Sequence, residues 1–458
     1  MRISIAGAGA GKTTKMADRI ISSHNNLAEH LNIYCITFTN NAVDCIINKL
    51  KEHFGSIPDR IKVSTIHSFL YHEIIKPYYF LLYGKQYEKI SRIELPKGKK
   101  DTDIKNRNRI IKQLDDKNFL HLDCYSQRAL WVMVCKSSDK IHNKNIRKVI
   151  HKEFIKYCGG IYIDEAQDID KNVFKILVQL NDLGINIEIM GDPKQDLKGF
   201  GCLTKLVELY PQNVEYIIEC HRCPQIHLDV SNLLISNNEK QKSPSNKKGE
   251  LTYIFETDID VEKYIEKNSF DLKYISEKNE RYETNKKDNN TNKFDTLYYE
   301  LIICAEKMYP DRSKNKIEAL AYFWAKNLLT IYKNKKNAGK AMYDVFKNNR
   351  LDTEDYKKII HIVKAVDTNE DNKKGIAVDT IDSIKGQEGN NCLFVLTTDL
   401  AEYLFGKKNT NNKTKNKLYV ALTRSLNKLT ILITEEVEKK YGRDEINKFF
   451  QSVIKKSL

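Results

Sequence analysis

The chain has 458 residues, too long for one ordinary core and comfortable for two or three. Its 76 Lys and Arg against 61 Asp and Glu suit a polyanionic partner, and plentiful Tyr and Phe suit base stacking, although a biased Lys- and Asn-rich composition accounts for the charge equally well. No run approaches the ~18–20 apolar residues of a membrane span, a Gly-rich turn stands where a signal peptide would carry its apolar region, and the ten Cys are scattered rather than spaced as a framework; membrane insertion and export are argued against, and reduced thiols in a cytoplasmic, intracellular setting are expected.

Short apolar runs ending in polar turns recur at Arg2–Ala6, Ile33–Phe38, Ile61–Ser64, Gly160–Ile163 and Ile185–Met190, with helix-patterned stretches between them. This alternation predicts a parallel sheet covered by helices. Between Tyr71 and Ile150 the rhythm is lost, and 18 Lys/Arg stand against 9 Asp/Glu, which reads as an inserted, basic, mainly helical subdomain. A second α/β unit is expected to open at Val214–Ile218, add a strand at Leu251–Phe255 and resume at Gly375–Asp379, Asn391–Thr397 and Lys428–Ile433. Between its parts lies a second insertion. Within it, Glu277–Lys293 reads as a polar loop and Asp295–Met308, Lys314–Tyr332 and Thr353–Val366 read as helices. The predicted division is 1–70 with 151–213, the insertion 71–150, 214–265 with 375–458, and the insertion 266–374.

Gly7-Ala8-Gly9-Ala10-Gly11-Lys12-Thr13-Thr14 follows the first strand and opens a helix, the context a phosphate-binding loop requires. Its glycines let backbone N–H groups turn onto a β-phosphate, Lys12 reaches the β/γ oxygens, and Thr13 offers a hydroxyl to Mg²⁺. Ile161-Tyr162-Ile163-Asp164-Glu165 then sets two adjacent carboxylates at a strand end. One of them can hold Mg²⁺ while the other orients or deprotonates the attacking water. By itself such a pair is more often a solvated strand end; downstream of a phosphate loop it is not.

Asp164-Glu165-Ala166-Gln167-Asp168 resembles the Walker B box of the UvrD/Rep-like superfamily 1 DNA helicases, and further blocks match in the family's order. Thr37-Phe38-Thr39-Asn40-Asn41-Ala42 resembles motif Ia, Ser64-Thr65-Ile66-His67-Ser68-Phe69 motif Ib, and Gly191-Asp192-Pro193-Lys194-Gln195 motif III. Cys220-His221-Arg222 resembles motif IV, Asp379 through Glu388 motif V, and Leu418 through Arg424 motif VI. The resemblance implies an α/β fold of two RecA-like P-loop NTPase lobes with 1B-like and 2B-like helical insertions. It implies ATP, with Mg²⁺, clamped between Lys12, Thr13, Asp164, Glu165 and Gln195 of the first lobe and Arg222, Arg424, Gly386 and Glu388 of the second. Arg222 and Arg424 suit charge developing on the γ-phosphoryl oxygens, Glu388 the ribose and His221 the base. For nucleic acid it implies a single-strand groove lined by Phe38, Thr39, Asn40, Thr65, His67 and Phe200, where aromatic faces stack on bases. Phe38 and Phe69 could equally be core residues.

The implied activity is ATP-dependent unwinding of, or translocation on, single-stranded or tailed duplex DNA, running 3′ to 5′. Several features depart from the family pattern. The chain starts at the strand itself with no glutamine-bearing box ahead of the loop, which leaves adenine selectivity loosely set. His221 stands where a stacking Tyr is usual, Asp382 replaces a His in motif V, and Gly389-Asn390-Asn391 follows Glu388. These changes bear on strand coupling more than on hydrolysis and favour a second reading, a DNA-stimulated regulatory ATPase controlling a partner nuclease. Compact relatives of this kind occur in bacterial phage-defence systems such as Gabija, and others in viruses. The run from Lys407 to Lys417 carries five Lys and no acid; it could touch phosphates but more often such a run is a solvated loop. Cys220, Cys223 and His227 lack a fourth ligand nearby, so no structural metal is expected.

Overall fold

The computed structural model describes residues 1–96, 98, 100–244, 248–284, 290–347, 351–365 and 375–456. Its strands in chain order are β1 (Arg2–Ala6), β2 (Asn32–Thr37), β3 (Ile61–Thr65), β4 (Lys89–Ser91), β5 (Phe119–His121), β6 (Cys158–Ile163), β7 (Ile187–Gly191), β8 (Val214–Ile217), β9 (Glu250–Phe255), β10 (Leu272–Ile275), β11 (Tyr282–Thr284), β12 (Ile376–Thr380), β13 (Gly389–Leu396) and β14 (Ser425–Ile433). The chain divides into two compact units, one of Met1–Gly84, Ser126–Asn285 and Lys374–Leu458, the other of Lys85–Tyr125 and Lys286–Lys373.

The first unit holds two six-stranded sheets, ordered β3-β2-β6-β7-β1-β8 and β11-β12-β10-β13-β14-β9. Every neighbouring pair in both is parallel. Parallel strands need helical crossovers that cover both faces, so their sequences read as unbroken apolar runs. Thus Ile3, Ile5, Ile33, Ile36, Ile161, Ile163, Ile187 and Ile189 are all buried. The helix Lys12–Asn25 follows β1 and turns Met16, Ala17 and Ile20 inward, and Asn40–Phe54 follows β2 and buries Ile46 and Leu50. Buried residues three or four apart mark one helical face on a sheet. The second sheet is sandwiched likewise, with Leu393, Val395 and Leu432 on one side and Phe394, Ile431, Leu418 and Phe450 on the other. These are the two RecA-like lobes.

The strand at Val214–Ile217, expected to open the second lobe, instead pairs with β1 and forms an edge of the first sheet. Its residues are only half-buried, as suits an edge, and Ser4 and Arg19 tie its Glu215 to the sheet. The second sheet draws β10 and β11 from sequence read as insertion and polar loop. Of the Glu277–Lys293 loop reading, residues 285–289 lie outside the described residues, and Tyr282–Thr284 is a strand because Tyr282 is buried and bonded to Glu256 (2.7 Å).

The second unit is mainly helical. Asn290–Met308, Lys314–Lys335 and Thr353–Ala365, near the expected bounds, are joined by Ala338–Phe346 around Leu301, Trp324, Leu328 and Ile359. Two chain segments far apart in sequence share this unit: Ile93, Leu95, Leu114 and Phe119 pack on Tyr299.

Candidate nucleotide and strand sites

In a parallel sheet all the carboxyl ends lie along one edge, and ligands bind in the crevice outside it. That edge gathers the segments after β1, β2, β3, β6 and β7, so residues 7, 38, 65, 164 and 192 come from different strands to one rim. The phosphate loop turns through Gly9 and Gly11, both left-handed (φ 68° and 71°), a conformation costly for any residue with a Cβ. Lys12 is buried, and its Nζ donates back to the carbonyls of Ala6 (3.5 Å) and Gly7 (3.3 Å), spanning the loop where phosphate oxygens would be met. Thr14 is exposed and Ala10 belongs to the core beneath.

Thr13 Oγ1 donates to Asp164 Oδ2 (2.9 Å). Asp164 is fully buried, and burial with the adjacent Glu165 carboxylate pushes its pKa up to about 6, against the pull of Lys12. Burial would raise Glu165 as well, but Lys12, the Gln167 amide and Lys385 more than offset it and hold this carboxyl below its ordinary range. Glu165 sits at φ 55°, a left-handed conformation rare outside glycine. Such a strained position persists only where its surroundings hold it, here by the Gln167 amide and by its own N–H on Asp164 Oδ1 (2.9 Å). Gln195 is buried, its amide donating to Asp192 Oδ2 (3.0 Å). Asp192 is held ionised by Lys194 (2.9 Å) and Lys12 despite complete burial. Lys12 is thus the shared counter-charge for three acids.

From the second-lobe side, Arg222 Nε donates to Glu388 Oε2 (2.6 Å). The two residues assigned to γ-phosphate and ribose therefore neutralise each other in this arrangement. Arg424 is 1% exposed and, among the described residues, donates to neutral acceptors, the carbonyls of Val420 (3.0 Å) and Gln387 (3.3 Å) and the Thr423 hydroxyl (3.4 Å). Burial and then Arg222 lower its pKa. A buried guanidinium facing no carboxylate among the described residues is a site that gains from an anion. His221 exposes its imidazole while its N–H donates to Gly9 O (2.8 Å). Gly386 turns at φ 86° just before Glu388.

On the strand face, Lys198 Nζ lies 5.8 Å from the ring centres of both Phe38 and Phe200, drawing the motif Ia and motif III aromatics together. Both rings are half-buried, whereas Phe69 is core, packed edge-on against Tyr34 at 5.3 Å. Phe200 is presented by a loop that Asp196 shapes, accepting from Gly199 N–H and Gly201 N–H (both 2.7 Å). Thr39 and Thr65 spend their hydroxyls as helix caps, accepting from Ala42 N–H (3.2 Å) and Ser68 N–H (3.3 Å). Asn40 and His67 remain exposed beside them. The lysines of the 407–417 run are partnered internally, Lys407 by Glu445 and Lys408 by Glu402 in the loop, and Lys413 and Lys417 by Asp382 and Lys415 by asparagines in the first turns of the helix Lys413–Leu422. His227 faces the carbonyl of Glu250 (3.0 Å).

Sequence reasoning missed Lys198, Lys385, Gln241 and Tyr419. Lys385 bonds both oxygens of Asp168 (2.9 and 2.7 Å), tying motif V to the Walker B box. Tyr419 lies inside the motif VI box, whose chemistry points to Arg424, and Gln241 lies in none of the boxes.

A Gly-rich loop closing on a helix N-terminus, a buried Thr13–Asp164 pair beside Glu165, and two arginines, Arg222 just after β8 of the first sheet and Arg424 just before β14 of the second, define a P-loop NTPase of tandem RecA-like lobes. The model of the UvrD/REP helicase N-terminal domain matches residues 3–159. The ordered boxes that run on to Arg424 resemble those of the same helicases beyond the matched residues. The Gabija protein GajB of Bacillus cereus (strain VD045) is 29% identical over 194 residues, which is 42% of this chain and only 36% of that protein's length. Among solved structures, a complex of Arterivirus nonstructural protein 10 (helicase) with DNA is similar at a TM-score of 0.37 and 11% identity, covering 94% of this chain and 60% of that one. Among the described residues no helix is long and apolar enough to cross a membrane.

Proposed function

We propose that the chain is an ATP-dependent DNA helicase or single-strand translocase moving 3′ to 5′. The observation that carries this reading is Lys12 shared by Asp164, Glu165 and Asp192, with Arg222 brought up by the segment after β8 and Arg424 by the second lobe. Lys12 meets the β/γ oxygens on leaving the loop carbonyls. Glu165, ionised, accepts a hydrogen bond from the attacking water and aligns it, while Arg424 and Arg222 take up the charge that develops as the γ-phosphoryl departs. Arg222 must release Glu388 to do so, which frees Glu388 for the ribose. Gln195, anchored on Asp192 between the loop and the Phe200 segment, connects phosphate occupancy to the strand face.

The Thr13 hydroxyl and Asp164 carboxylate fit Mg²⁺, since both are oxygen donors and a buried carboxyl whose pKa is pushed up gains most from a hard cation. Bound there, Mg²⁺ would neutralise charge on the β- and γ-phosphates.

The test is ATP turnover and strand displacement measured together on duplexes bearing only a 3′ or only a 5′ tail. Strand-stimulated hydrolysis is expected, with displacement from the 3′ tail and with loss in both Lys12→Ala and Glu165→Gln; full activity in both variants would sink the mechanism. A second reading, a DNA-stimulated ATPase controlling a partner nuclease, is favoured by Asp382, which is paired to Lys413 (3.3 Å) and Lys417 (3.2 Å). Hydrolysis without displacement from either tail would support it.

A further inference from the structure

We propose that Gln241 and Tyr419 are a positioning pair that sets the shape of the phosphate loop from the second-lobe side, making nucleotide affinity depend on where the helix bearing Tyr419 stands. The proposal rests on the reading of this loop as the nucleotide site.

Tyr419, in the helix Lys413–Leu422 that leads to Arg424, accepts the Ala8 N–H at its hydroxyl (3.1 Å) and donates that hydroxyl to Gln241 Oε1 (2.7 Å). Gln241 Nε2 donates to Ala8 O (2.9 Å), closing a ring in which both backbone polar groups of one loop residue are held by side chains from remote sequence. The proton directions are all determined, because a tyrosine hydroxyl has one proton to give and the amide carbonyl must be the group receiving it. Gln241 and Tyr419 are each 1% exposed, so no water can replace a lost bond cheaply.

Gln241 is itself rigidly mounted. Its N–H and C=O exchange bonds with the Asn232 side chain (both 2.9 Å), and the next residue, Lys242, pairs with Ile218 and Cys220 (2.9 and 2.8 Å). The loop is built to receive the amide: a Cβ on Gly7 would overlap it, so glycine is required there for close approach rather than for turning. The neighbouring peptide is gripped from the same side, since Gly9 O accepts from His221 N–H (2.8 Å).

The amide and hydroxyl thus fix the orientation of the Ala8 peptide units, which lead directly into the N–H groups that would face phosphate. A shift of the Tyr419 helix pulls on Ala8, and by linkage a nucleotide that prefers one loop shape pulls back on that helix with equal free energy. Because Arg424 follows in the same segment, loop shape and arginine placement become one coordinate.

The experiment uses the full chain with Y419F, Q241M and the double variant, titrated with a fluorescent ADP analogue, alongside ATP turnover with and without single strand and melting without nucleotide. Each single is expected to weaken ADP about tenfold, and the double no more than about threefold beyond either, because one broken bond already opens the ring. The stimulation by strand should fall toward one. A merely structural role would lower the melting temperature and leave ADP affinity within about twofold of wild type, which would overturn the proposal, as would losses that simply multiply. Should Y419F not fold, Q241M, which leaves the Ala8 N–H bonded to Tyr419, carries the same comparison. If wild type binds the ADP analogue but hydrolyses no ATP, the proposed activity fails while the affinities still decide the pair.

Discussion

At the nucleotide end of the first sheet, Lys12, Asp164, Asp192 and Gln195 are buried and every charge has a partner across the fold. Along the same rim, Phe38, Asn40, His67 and Phe200 are half-buried or exposed, and the hydroxyls among them cap their own helices. The first arrangement is preorganised, as chemistry on a developing charge demands. The second is an adaptable surface, as the proposed passage of a strand without sequence preference would demand. The lesson is that one sheet edge can be rigid at one end, where bonds would break, and tolerant along the rest, where a polymer would move.

The contrast can be broken most forcefully at Arg424. Arg424→Lys cannot reach the carbonyls of Val420 and Gln387 together, and turnover should fall on the order of 10³-fold with nucleotide binding kept, read from single-turnover hydrolysis and ADP titration. A fall under tenfold would mean this buried cation serves only the fold. On the tolerant side, Phe200→Ala should raise the strand concentration for half-maximal ATPase roughly 10- to 100-fold. Adding Phe38→Ala should cost less than its own single effect, since both rings share Lys198; equal effects for every homopolymer would sharpen the picture of stacking without readout.

Acidity separates the two sides again. Asp164 has its pKa pushed up from an ordinary 3.8 to about 6, so its proton stabilises the nucleotide-free fold. That contribution is complete below about pH 3.8 and is lost as pH rises through about 6. In the proposed mechanism catalysis runs the other way, since Mg²⁺ at Asp164 would need the ionised carboxylate: kcat/KM should drop about tenfold per unit below pH 6, and added Mg²⁺ should move that limb to lower pH. An acid limb indifferent to Mg²⁺ would assign it to another group. The smallest effect is expected at Lys385→Gln, which severs the partly exposed bond to Asp168 and should cost about 1 kcal/mol or less in a melting experiment, diminishing with salt. A loss several times larger would show that motif V is held as rigidly as the phosphate loop.

Legibility followed sequence distance. The phosphate loop could be read because its chemistry is contiguous: glycines free to turn at residues 9 and 11, a lysine next to them, and a strand and helix on either side. Asp164 and Glu165 could be read for the same reason, an apolar strand stopping at two acids. The strand face was half legible, since the aromatics were named but the shared Lys198 that groups them was not. Val214–Ile217 was misplaced because an apolar strand looks alike in either sheet, and only pairing with β1 assigns it.

By itself, the sequence determined the class of protein: short-range patterns dictate strands, helices, a turn suited to phosphate and an order of boxes that resembles that of two-lobed UvrD-like helicases. The tertiary structure alone decided which distant groups share a proton or a charge. Gln241 lies 233 residues from Ala8 and Tyr419 lies 411 residues away, yet they close one ring of hydrogen bonds. Arg222 meets Glu388, and segments 85–125 and 286–373 share one compact unit. Such partners are selected by burial, where an unsatisfied donor is expensive, and burial is a property of the packed chain that no local pattern records.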